Sequence, residues 1–269
     1  MLVNNSGNIT GAGDNAVGIY INNVTNSSYV TSTLTLNSTS NIDVKNSKNG
    51  IGIYADTFGI TGTNAGTITV GENGVGVYVK NGTTTLNNLT LNLHGDNTVG
   101  IYTDGTNSFT GNGTVNVDGK GVVVFNVLGS GAFNQNFNIT STSGSSYTLA
   151  NIKDTTLYSN SNSNLAENGI FINGNNSAVL LGLNSNLSST GANIAGIALN
   201  GAYSGGIPVT INGEILNQEA TNQGIMSFGD NSTGIYVVNG ASAENQGTIT
   251  LGDNSVGIYG KGIGTGVSN

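Results

Sequence analysis

Apolar and polar residues alternate along this chain in short runs bounded by turn residues. Thr67-Ile68-Thr69-Val70 and Leu89-Thr90-Leu91-Asn92-Leu93 are two examples. Successive side chains on a strand point to opposite faces, so a period of two predicts half-buried β-strands. No window of about 11 residues carries a 3.6-residue period. Asn, Gly, Thr and Ser, which fill most of the other positions, are poor helix formers. The chain is expected to be all-β.

The alternating runs recur. Gly-Asp-Asn-x-x-Gly-Ile-Tyr spans Gly13 to Tyr20, Gly95 to Tyr102, Gly229 to Tyr236 and Gly252 to Tyr259. Gly71 to Tyr78 is a close variant, and Gly50-Ile51-Gly52-Ile53-Tyr54 keeps the second half. A second phrase, Asn64-Ala65-Gly66-Thr67-Ile68-Thr69-Val70, returns as Asn245-Gln246-Gly247-Thr248-Ile249-Thr250-Leu251. The aromatic that closes each repeat recurs every 22–24 residues, with longer intervals around 21–50 and 199–228. A third strand is expected in each repeat, for example at Thr84-Thr85-Leu86 or Tyr29-Val30-Thr31.

Two or three short strands in two dozen residues, without a helix, predict one coil of a parallel β-helix. A single coil cannot bury its apolar face, but stacked coils share a continuous core. The expectation is one right-handed β-solenoid over 1–269, with about ten or eleven coils of 22–24 residues and loop insertions near 21–50 and 199–228. The hand follows the general preference of parallel crossovers.

Strict alternation then assigns the faces. Val75, Val77 and Val79 share one side of a strand, as do Val17, Ile19 and Ile21, and that side is expected to be core. Gly76 and Tyr78 then point outward. The reading yields an outer column of Tyr20, Tyr54, Tyr78, Tyr102, Phe125, Tyr147, Phe171, Tyr236 and Tyr259. Its six tyrosines at 20, 54, 78, 102, 236 and 259 form a candidate interaction stripe. Two roles suit such a column: ring stacking that shields neighbouring glycines, or contact with a sugar or protein.

Composition narrows the function. The chain has 269 residues, of which 36% are hydrophobic and 7% charged, with 43 Gly, one Pro, no Cys and no Trp. The hydrophobic fraction is too rich in Ile, Val and Leu for a disordered chain. The formal net charge is −8, and the six cations are the scattered Lys45, Lys48, Lys80, Lys120, Lys153 and Lys261. Nucleic acid needs a basic patch that releases counterions from phosphates, so nucleic-acid binding is not expected. Docking on an anionic membrane is disfavoured likewise. No helical span or signal peptide is read, which fits an internal piece of a larger secreted protein.

Chemistry is sparse. Glycoside hydrolysis needs two carboxylates about 5–10 Å apart. The 14 acids are spread along the repeats, although adjacent-coil pairs such as Asp96 and Asp118 stay open. Glu72 with Asp96, and Asp230 with Asp253, should sit on neighbouring coils. Calcium wants six to eight oxygens, and the tight nonapeptide of calcium-binding β-rolls is missing. His94 is the single histidine and is read as a solvated edge residue. Thr-x-Thr runs of the ice-binding kind do not recur at the repeat period. No catalytic residue, cofactor or metal site is assigned.

Asn245 to Tyr259, together with the lack of Cys and Arg, resembles the passenger regions of type V secreted bacterial autotransporters, most closely the very large fusobacterial-type adhesins. The resemblance implies a non-enzymatic surface rod. It further implies a C-terminal outer-membrane barrel beyond these residues, and partners on host cells or other bacteria, protein or glycan. The competing reading is a polysaccharide-active lyase or hydrolase.

Overall fold

Each coil turns three times, because Gly and Asn interrupt the alternating runs at three places and β-branched residues extend the chain between them. The computed structural model describes residues 2–22, 33–165 and 169–269. Leu2–Asn5, Asn8–Thr10 and Val17–Asn22 are the three strands of the first coil. Each pairs in parallel with its counterpart one coil later: Thr33–Leu36, Asn41–Val44 and Ile51–Asp56. The pattern runs on to Thr248–Leu251, Val256–Lys261 and Val267–Ser268. Three parallel faces result, wound around one interior, which is the expected parallel β-helix.

The third strand, predicted at Thr84-Thr85-Leu86, lies on the first face and pairs with Ile60-Thr61-Gly62. Its other proposed instance, Tyr29-Val30-Thr31, lies outside the described residues, as does part of the insertion around 21–50. On the second face, Ile42, Ile68, Leu91, Val115 and Ile139 stand in register, each 4% exposed or less. Burying each such side chain contributes about 1.5–3 kcal/mol, and only the stack makes that burial possible.

Strict alternation fails at one place on the third face, and this corrects the expected facing. Val17 is 42% exposed, and Val75 and Val99 are half-buried, whereas Ile53, Val77 and Ile101 are fully buried. Val17, Val75 and Val99 therefore face out. The glycine that follows each valine faces in. A Cβ on Gly76 would sit 2.5 Å from the Gly100 carbonyl oxygen and 2.7 Å from Leu91 Cδ1. The chain bends between valine and isoleucine, so two consecutive residues enter the core, and a side chain at the glycine would strike the next coil. The register steps over these glycines, matching Val75 to Val99 and Val77 to Ile101. In three middle coils the same inward place holds Val124, Leu149 and Phe171, all fully buried.

The insertion near 199–228 is a two-stranded antiparallel hairpin, Val209–Ile211 against Glu214–Leu216. It lies over the outer side of the first face. Ile211 and Leu216 bury Ala178 and Leu180 there, with Tyr158 and Tyr203 against them. Glu219, 4% exposed, sits where the chain rejoins the coil and accepts from the backbone N–H groups of Tyr203 and Ser242 and from the Ser242 hydroxyl.

Candidate functional site

The register of the third face runs through ten rungs: Tyr20, Tyr54, Tyr78, Tyr102, Asn126, Asn151, Asn173, Ala198, Tyr236 and Tyr259. The six tyrosines of the expected stripe do share one outer column. Phe125, Tyr147 and Phe171 do not. They are 0%, 4% and 0% exposed and point into the core, and Asn126, Asn151 and Asn173 occupy their rungs. Turns between strands vary by a residue or two, so even spacing of aromatics along the chain did not guarantee a common face.

The column therefore has two aromatic parts. Tyr20 stacks on Tyr54 at 5.0 Å with planes 6° apart, and Tyr78 meets Tyr54 and Tyr102 edge-on at 5.0 and 4.8 Å. Far along the rod, Tyr236 stacks on Tyr259 at 5.2 Å and 2°. Each close pair adds about 0.5–1.5 kcal/mol beyond its buried area. Tyr20, Tyr236 and Tyr259 are the exposed rings, at 63%, 37% and 39%. Burial raises the pKa of Tyr78 and Tyr102 above the ordinary tyrosine value, and the Asp104 carboxylate adds to it. Burial also lifts the phenol of Tyr147 far above that value.

Beside the upper tyrosines runs a second outward column, Val17, Ile51, Val75, Val99 and Val123. Together they make an apolar strip along several coils.

The Gly-Asp/Glu-Asn turns stack as expected. Asn15, Asn73, Asn97, Asn231 and Asn254 in these turns, and Asn49 in the equivalent Ser47-Lys48-Asn49, all hold φ between 54° and 61°, the left-handed region that asparagine tolerates. Asn49 Nδ2 donates to Asn15 Oδ1 at 3.2 Å, and Asn97 Nδ2 to Asn73 Oδ1 at 3.2 Å. The acids of these turns do lie on neighbouring coils: Asn73 N–H donates to the Asp96 carbonyl, and Asn231 N–H to that of Asp253. The carboxylates of Glu72, Asp96 and Asp230 already have partners. Asp96 Oδ1 accepts from Lys120 N–H at 2.8 Å, Asp230 Oδ1 from Asp253 N–H at 2.7 Å, and Glu72 pairs with Lys48 Nζ at 3.1 Å. Among the described residues, no three His, Cys, Asp or Glu side chains converge as a metal site.

The second face carries a groove of about 580 Å³ that sequence reasoning did not find. Its floor is a chain of side chains across four coils. Asn92 Nδ2 donates to Thr69 Oγ1 at 3.1 Å, Asn116 Nδ2 to Asn92 Oδ1 at 2.8 Å, and Thr140 Oγ1 to Asn116 Oδ1 at 2.7 Å. His94 Nδ1 lies 2.5 Å from Asp118 Oδ2 at one side, and Lys45 stands nearby. His94 is thus exposed, as expected, but also paired. Among the described residues, one carboxylate, that of Asp118, lines the groove.

The fold and its outer columns define a parallel β-solenoid rod with an aromatic strip. No family model, curated protein or solved structure matches the chain.

Proposed function

We propose that this chain is a cell-surface adhesin or structural stalk segment of a bacterial autotransporter, displaying a β-helical rod that binds host cells or other bacteria. The observation that carries this reading is the outward strip of the third face, where tyrosines in ring-to-ring contact run beside the exposed Val17 and the half-buried Ile51, Val75, Val99 and Val123. Pre-ordered aromatic surface loses little conformational entropy on contact, which suits protein or glycan partners. The working protein is then extracellular, held at the outer membrane through a C-terminal barrel beyond these residues. It acts without cofactor or nucleic acid.

The test is binding of the labelled chain to host cells, bacterial cells and an array of glycans. Saturable binding, competed by unlabelled chain, is the expected result. No binding at high micromolar concentration would sink the adhesive role and leave the stalk.

The second reading, a polysaccharide-active enzyme, rests on the groove with His94, Asp118 and Lys45. Its check is release of reducing ends or unsaturated sugars from neutral and acidic polysaccharides. Loss of such release in Asp118→Asn would favour it over the adhesin.

A further inference from the structure

The tyrosine column has a vacant rung. Tyr236 is covered on one face by Tyr259, nearly parallel at 5.2 Å. The coil on its other side carries Ala198 in register, a methyl group where a ring would stand. An open notch of about 330 Å³ results, at the small end of the roughly 300–1,000 Å³ range of ligand sites.

The walls of the notch differ in character. Tyr236 offers a free ring face, and Ile170, Ala195 and Ala198 give an apolar floor. The rim is amide. Asn200 is fixed by its neighbours: its Nδ2 donates to Asn175 Oδ1 at 3.2 Å, and its Oδ1 accepts from Asn239 Nδ2 at 2.7 Å. One Asn200 N–H is left for a ligand. Asn173 donates to Asn151 Oδ1 at 3.4 Å, which leaves its own Oδ1 to accept. Among the described residues, no charged side chain lines the notch.

We propose that this notch binds one neutral pyranose ring of a glycan. The apolar C–H face of the sugar lies on Tyr236, in the place of the missing ring, and its hydroxyls reach the amides of Asn173 and Asn200. The chemistry favours a sugar over a partner's aromatic side chain. A pyranose has an apolar face whose C–H hydrogens meet the negative face of a π system. It also has an equatorial belt of hydroxyls that needs amide partners once water is displaced. A phenyl ring would leave both amides facing hydrocarbon. The proposal rests on the adhesin reading for the source of the glycan, not for the geometry.

The chain has no tryptophan, so Tyr236→Trp places a single reporter in the notch. Its emission is titrated with methyl glycosides of neutral hexoses and N-acetylhexosamines. The expected result is a saturable change for at least one of them, on the order of 1 mM for so small a ligand. The response should weaken at least tenfold when Ala198→Tyr fills the rung. Ala198→Tyr is expected to keep the β-rich circular dichroism spectrum and the melting midpoint. Ala198→Leu serves if the tyrosine variant unfolds. Saturation-transfer NMR on the unsubstituted chain gives a second readout that does not depend on the tryptophan.

Silence in both readouts overturns the proposal, as does a response that survives the filled rung in a folded protein. Cell binding that persists in Ala198→Tyr while sugar binding is lost separates the notch from the adhesive role. Sugar binding without cell binding keeps the notch and removes the adhesin.

Discussion

At the scale of single residues, the third face turns on one inward position per coil, a glycine in every coil except the three that hold Val124, Leu149 and Phe171. Val75 and Val77 are two positions apart, and simple alternation puts them on the same side, yet the bend at Gly76 sends one out and the other in. A paired substitution reads this directly. Val75→Lys, at a half-buried outward position where the lysine stem can lie along the surface with its charge in water, is expected to cost no more than about 1 kcal/mol. Val77→Lys buries an unpaired charge and should cost about 3 kcal/mol or more. Gly76→Ala should also destabilise, because its methyl would lie 2.5 Å from the Gly100 carbonyl oxygen. Thermal midpoints of the three variants check this. Equal damage from the two lysines would return Val75 to the interior. The phrase Val-Gly-Ile-Tyr marks the period in the sequence, but nothing in its letters says that the glycine is the inward residue. That fact needs the neighbouring coil, whose carbonyl forbids a side chain.

At the scale of elements, each strand of the coils is held by its partners one coil away, and many of the turns are held by asparagine at positive φ. The tyrosine column ties the third-face strands together as neutral rings. Tyr78, Tyr102 and Tyr147 all have pKa values raised above the unfolded value by burial. The sign follows from proton binding: the folded chain holds these protons more tightly than the unfolded chain. Their contribution is fully present below about pH 10 and is lost as pH climbs through the folded values. The melting midpoint should therefore fall from about pH 10 upward. Tyr147→Phe should flatten that fall most, since its shift is the largest. A flat profile in the parent chain would contradict the burial of these phenols. The strands, the turn asparagines and the adjacency of Glu72 with Asp96 were legible in the sequence because they repeat. The frame of the middle coils was not. Val122-Val123-Val124-Phe125 has no glycine to anchor it, and one residue of slip moves Phe125 from the outer column to the core.

At the scale of the whole molecule, the rod ends as it runs, in strand edges. Among the described residues, Leu2–Asn5, Asn8–Thr10 and Val17–Asn22 pair on one side only, as do Thr248–Leu251, Val256–Lys261 and Val267–Ser268. Leu2 and Val267 are 70% and 55% exposed, and Ile19 and Ile258 are half-buried at opposite ends. Unpaired edges of this kind template further strands. Both ends carry the same phrase, so the last coil of one copy can continue into the first coil of another in the rod's own register. Such a head-to-tail contact does not close and grows as a filament. The 269-residue chain in isolation is expected to form larger species as concentration rises, measured by light scattering. Ile258→Lys, at one end, should reduce them. A chain that stays monomeric at high micromolar concentration would count against free edges.

The sequence alone determined the repeat, the lack of helix among the described residues and the parallel β-solenoid. These are properties of period, and a period of two dozen residues built on alternating pairs admits few other folds. It also placed the six tyrosines on one column. The tertiary structure decided what the repeat hides: which way the glycines face, which middle aromatics are core, where the hairpin of 209–216 lies, and that Ala198 leaves a gap beside Tyr236. All four depend on what stands one coil above or below, about 4.8 Å away in space and some two dozen residues away in the chain. A pattern along one strand does not contain that neighbour.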